Sequence, residues 1–77
     1  TPIITRNNDQ FVINFNFEDV TAVTIQLVDA LGKEVTSTMN KNVSNDKVVL
    51  STAHLSEGVY FVNINFNGQT QTTKLIK

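Results

Sequence analysis

The chain has 77 residues and a formal net charge of −1, from six Lys and Arg against seven Asp and Glu, and is too short for more than one domain. A hydrophobic fraction of 40% excludes an intrinsically disordered segment, and the absence of Cys with a single His excludes the disulfide framework or closed zinc site that often stabilises a core worth only about 3 to 5 kcal/mol. With no two basic residues adjacent the chain lacks the footprint of a nucleic-acid binder, and no apolar run approaches the roughly 20 residues of a membrane helix.

Apolar residues recur with a period of two, the signature of half-buried strands, and no segment reads as a helix. Residues 3–5 suit a short edge strand. In residues 10–17, Phe11, Ile13, Phe15 and Phe17 take one face and Asn14 and Asn16 the other; a one-residue slip would bury both Asn. Val23, Ile25 and Leu27 alternate with Thr24 and Gln26 in the next strand. Asp29, Ala30, Leu31, Gly32 and Lys33 form its turn, with Gly32 the residue able to take positive φ there. Residues 34–39 read as the returning strand of a hairpin, residues 40–46 as a polar loop, and residues 47–50 as a short strand.

The alternation lapses over residues 52–57, which predicts a crossover corner with Leu55 pointing inward and Gly58 closing it. Tyr60, Val62, Ile64 and Phe66 then alternate with Phe61, Asn63 and Asn65, the longest such pattern and the best candidate for a central strand. Asn67 and Gly68 suit a type I′ hairpin turn, after which residues 69–76 return antiparallel. The expected fold is all-β, a small immunoglobulin-like antiparallel β-sandwich of about seven strands, with a small open barrel as the alternative. The likeness to antibody domains is architectural only, since the chain has neither Cys nor Trp.

Candidates for chemistry are sparse. The carboxylates of Asp9, Glu18, Asp19, Asp29, Glu34, Asp46 and Glu57 stand mostly beside predicted turns, where such groups cap backbone amides or meet water. Asp29 and Glu34 flank one hairpin without the spacing of a calcium loop. His54 lies near Ser51 and Ser56, but no third group or oxyanion-hole motif accompanies them. Gly32, Gly58 and Gly68 fall one per turn, so they cannot cradle a phosphate together. Asn42, Val43 and Ser44 form a glycosylation sequon of the kind that arises by chance in an Asn-rich chain. Five of the six aromatic residues are Phe, most on inferred buried faces, with Phe61 opposite the Tyr60 face and in need of cover. The expectation is no enzyme, no cofactor and no metal.

One feature is left over. Lys74 and Lys77 bracket Leu75 and Ile76 at the end of the sequence, either as a fraying edge strand or as a peptide presented to a receptor groove, the lysines steering and the aliphatics filling pockets. Ten Asn, ten Thr and four Gln, with no Cys, suit an exported surface domain. The chain starts at Thr1 without an initiator Met, as expected of a piece of a longer precursor.

Three stretches resemble the C-terminal sorting domain, type A, of the type IX secretion system of Bacteroidetes. They are Ile25 with Gln26, Leu27, Val28, Asp29, Ala30, Leu31, Gly32, Lys33, Glu34 and Val35; the segment 50–62, which ends in Leu55, Ser56, Glu57, Gly58, Val59, Tyr60, Phe61 and Val62; and Lys74, Leu75, Ile76, Lys77. The chain departs from the family pattern in keeping only Pro2 of an opening Pro-Asn-Pro segment and in carrying Glu57 where many members place Pro before the central Gly.

The resemblance implies that residues 1–77 are a single sorting domain at the end of a longer precursor. It further implies a nonenzymatic secretion signal that is recognised at the outer membrane, with a shuttle protein and a sortase-like peptidase as partners and an upstream cargo domain in the same chain. The cargo is then secreted or displayed at the cell surface after passing the periplasm and outer membrane. On this reading Lys74, Leu75, Ile76 and Lys77 contact the partner, Gly58 and Tyr60 hold the last hairpin in shape, and Gly32, Lys33 and Gly68 support turns. The alternatives are an adhesive or carbohydrate-binding β-module, which would need an exposed aromatic or Asn-rich patch, and an inert spacer.

Overall fold

A computed structural model describes residues 2–77. Its seven strands are β1 (Ile3–Asn7), β2 (Gln10–Asn14), β3 (Thr21–Asp29), β4 (Met39–Val43), β5 (Lys47–Ser51), β6 (Val59–Phe66) and β7 (Gln69–Ile76). They form a three-stranded sheet in the order β1-β2-β5 and a four-stranded sheet in the order β4-β3-β6-β7. Every pairing is antiparallel. The result is the expected all-β sandwich.

Alternation decides which side chains meet between the sheets. Phe11, Ile13, Val48 and Leu50 from the smaller sheet face Val23, Ile25, Leu27, Tyr60, Val62 and Ile64 from the larger, all within one buried cluster. Phe15 and Val43 close it. Phe11 and Tyr60 meet across the interface in a tilted pair with ring centroids 6.5 Å apart, and Phe17 tilts against Phe66 at 5.4 Å. Such ring pairs add specific geometry to the area they bury. β6 is the central strand, paired with β3 on one side and β7 on the other.

Three boundaries differ from the sequence reading. The first long strand stops at Asn14, yet Phe15 and Phe17 still donate backbone N–H bonds to the carbonyls of Asp46 and Ser44 at 2.8 and 3.1 Å, so both rings stay against the core. Of the expected return over residues 34–39 only Met39 lies in a strand: Glu34 makes one isolated bridge to Val28, and the Val35 N–H reaches the Leu27 carbonyl at 3.0 Å before the chain bends away. The true return is β4, whose Asn40, Lys41 and Asn42 fall within the expected loop and are exposed. An edge strand of a small sheet needs few apolar residues, and here Met39 and Val43 suffice to anchor it to the cluster.

The turns follow their residues. Asn67 and Gly68 have φ of 50° and 73°, the left-handed pair that a type I′ turn requires, and Gly32 has φ of 84°. The 52–57 corner places Leu55 against the cluster, and at its start the Thr52 N–H donates to the Asp9 carbonyl at 2.7 Å, extending the pairing of β5 with β2 by one step.

Because Ile64 is fully buried in the central strand, Ile64→Ala should cost about 2 to 5 kcal/mol. That is comparable with the whole stability of a domain this small. The variant should show no cooperative melt at 37 °C by circular dichroism; a transition within a few degrees of the parent would contradict this packing.

Candidate functional site: the end of the larger sheet

The three stretches that carry the family resemblance are far apart in sequence but share one end of the larger sheet. Asp29 at the end of β3 pairs with Tyr60 near the start of β6, and Tyr60 pairs with Leu75 near the end of β7. Beyond this row lie the 29–33 turn, the 52–58 corner and Lys77. Antiparallel pairing alone brings them together.

Asp29 builds the turn. Its Oδ1 accepts the N–H groups of Leu31 and Lys33, both at 2.9 Å. Its backbone N–H donates to the Lys33 carbonyl at 2.9 Å, and its carbonyl accepts the Gly32 N–H at 3.0 Å. A carboxylate so used is a turn organiser. Glu34, the other acid of this hairpin, accepts instead from the Thr38 hydroxyl at 2.6 Å. Lys33 is exposed, and Leu31 at the tip is 95% exposed.

The corner is tied down twice. The buried Tyr60 donates its hydroxyl to the Ser56 carbonyl at 2.6 Å. From the other side, Gly58 and Lys77 exchange backbone hydrogen bonds at 3.1 and 2.9 Å. The Lys77 Nζ donates to the carbonyl of Leu55 at 2.5 Å and also to that of Thr52. Thr52 is fully buried; besides these main-chain contacts its carbonyl accepts the Leu55 N–H, while its Oγ1 has no partner among the described residues.

The expected tail therefore has a defined geometry. Residues 74–76 are the last pairs of β7, opposite Phe61, Tyr60 and Val59, and strand alternation divides the motif. Leu75 points inward and packs on the core cluster, whereas Lys74 and Ile76 are exposed on the outer face, Ile76 at 58%. Lys77 turns back to the corner. Gly68 lies at the far end of the same hairpin, in its turn.

Elsewhere most side chains are engaged locally or solvated; Gln71 of β7 instead donates its Nε2 to the Pro2 carbonyl at 2.9 Å, while its buried Oε1 has no partner among the described residues. His54, Ser51 and Ser56 are exposed around the corner, and among the described residues no three His, Asp or Glu side chains come close enough to hold a metal ion. None of the six aromatic rings is exposed; Phe61 is half-buried on the outer face between Val28 and Lys74. The rest of that face carries cross-strand pairs of amides and hydroxyls: Thr24 donates to Asn40 at 2.9 Å, Thr72 to Asn63 at 2.8 Å, and Thr70 to Asn65. Asp29 and Thr52, the organisers of turn and corner, were not separable in the sequence from other polar turn residues, although the Asp-x-x-Gly spacing is a usable signal for the first.

Comparison with curated proteins returns no match. A family model described as "Secretion system C-terminal sorting domain" matches residues 7–77. That span takes in β2 to β7 and all three converging stretches, and the family is one of export signals, not of enzymes. The chain belongs to the C-terminal sorting domains of the type IX secretion system, which carry proteins across the outer membrane to the cell surface or the extracellular space.

Proposed function

We propose that the domain's address is read at the end of the larger sheet, where the last hairpin carries Lys74, Leu75, Ile76 and Lys77. The observation that supports this reading is the convergence of the 29–33 turn, the 52–58 corner and the terminal strand through the Asp29, Tyr60 and Leu75 row. Type IX export implies that the machinery engages this domain and that a cargo domain lies upstream. In this reading the partners are a shuttle protein at the outer membrane and a sortase-like peptidase that cuts between cargo and domain, after which the cargo is released or joined to surface lipopolysaccharide. The domain contributes recognition and performs no catalysis.

The four terminal residues divide the work. Lys74 and Ile76 are displayed, so they meet the partner by charge and by apolar contact. Leu75 and Lys77 hold the strand end in place, with Gly58 and Tyr60 as their supports; Gly32, Lys33 and Gly68 keep the turns that align the strands. A rigid display lowers the entropy that a receptor must overcome to order the segment.

This division is tested with a periplasmic reporter fused to the chain in a type IX-competent bacterium. Removal of residues 74–77 should abolish surface export, and equal export with and without them would refute the terminal signal. Lys74→Ala with Ile76→Ala should lower export at least tenfold while leaving the melting temperature of the isolated domain unchanged.

Lys77→Ala should act through stability, since loss of a charged donor to two carbonyls costs about 1 to 3 kcal/mol. Its melting midpoint should fall and amide exchange over residues 52–58 should accelerate, whereas unaltered exchange there would show that Lys77 does not brace the corner.

A further inference from the structure

Among the described residues four strands have an edge with no strand beside it: β1, β4 and β5 with five residues each, and β7 with eight. The direction of each backbone group on β7 follows from its two ends. At one end Gly58 and Lys77 exchange both hydrogen bonds; at the other, a two-residue turn joins Phe66 to Gln69, a pair that such a hairpin closes with hydrogen bonds. Antiparallel pairs alternate between bonded and non-bonded. Counting by twos from either end, Lys77, Leu75, Thr73, Gln71 and Gln69 bond to β6, which leaves the N–H and C=O groups of Thr70, Thr72, Lys74 and Ile76 directed at the open edge.

A row of main-chain donors and acceptors at strand spacing is complemented by another extended backbone. Native edges are usually shortened, bulged or interrupted by Pro; β7 is long, regularly paired throughout and free of Pro. Its one charge is Lys74, exposed in the outward set. A lysine there repels a second copy laid across it and attracts a strand with a carboxylate at the facing position. Resting on the sorting reading above, we propose that the machinery captures the domain by adding one strand to the open edge of β7, the strand carrying an Asp or Glu opposite Lys74 and an aliphatic side chain beside Ile76.

The separating experiment uses the position of one proton. Thr72→Pro removes an outward N–H without removing a main-chain bond to β6, and proline is tolerated on edge strands in this orientation; Thr72→Ala loses the same hydroxyl bond to Asn63 but keeps the N–H. In the reporter strain, Thr72→Ala should export as the parent and Thr72→Pro at least tenfold less, with both isolated domains folded by circular dichroism. Lys74→Glu should export less than Lys74→Gln. Parental export by folded Thr72→Pro overturns strand addition, whereas unchanged export after deletion of the whole domain overturns the sorting reading itself. Should Thr72→Pro fail to fold, hydrogen exchange of the parent domain with detergent-solubilised outer membranes decides. Slowing of the Thr72 and Lys74 amides at least tenfold, absent with membranes from a strain lacking the system, supports the proposal. Exchange that is unchanged, or that slows with domain concentration alone as in self-pairing, overturns it.

Discussion

The pairing of β6 with strands on both of its edges is the constraint on which the rest of the structure depends. Its inward side chains Tyr60, Val62 and Ile64 occupy the middle of the core, and its backbone sets the register of β3 on one side and β7 on the other. A residue near the start of β6 is thereby held beside Asp29 and Leu75. Because a one-residue slip would turn the buried face to water, hydrophobic burial in the centre of the sheet also sets the geometry of its polar end. The 29–33 turn and the terminus have no other means of knowing where the other lies.

The same two-residue period gives the end of β7 its division of labour. Leu75 contributes to the core while its neighbours on either side face solvent, so a four-residue motif can be both bound and displayed without any flexibility. Lys77 completes the arrangement: its ammonium closes on carbonyls of the corner that leads into β6. Corner, central strand and terminal strand form a closed mechanical loop. A disturbance of the last residue is then felt in the segment that connects the two sheets.

Much of this was legible in the amino-acid order, because alternation reports local geometry directly. Phe11 and Ile13, the Val23, Ile25 and Leu27 run, and the Tyr60 to Phe66 run all fall on the expected faces, and the Asn67-Gly68 turn and β7 stand where their residues put them. Failures occur where pairing, not hydrophobicity, makes the strand. Met39 to Val43 is polar enough to read as loop, and only hydrogen bonding to β3 reveals it. The terminal motif poses the same difficulty in reverse: its aliphatics and lysines suggested something held out for capture, and no local pattern could show that the Lys77 ammonium finds carbonyls 22 and 25 residues earlier. Long-range polar contacts of this kind leave no periodic trace.

A sorting signal placed on the edge of a folded sandwich differs physically from one carried on a loose peptide. Ordering four free residues on a receptor would cost on the order of 1 to 2 kcal/mol per residue in backbone entropy alone, whereas residues 74–77 are already extended and paired with β6 or Gly58. The affinity available from a few side chains can then appear as binding instead of being consumed by ordering. The cost is moved to folding, where a core of about a dozen buried side chains supports it. Recognition at the proposed site is conditional on correct folding, since loss of the β6 register disperses the turn, corner and strand that we propose make up the address. A misfolded domain would lose its label together with its structure.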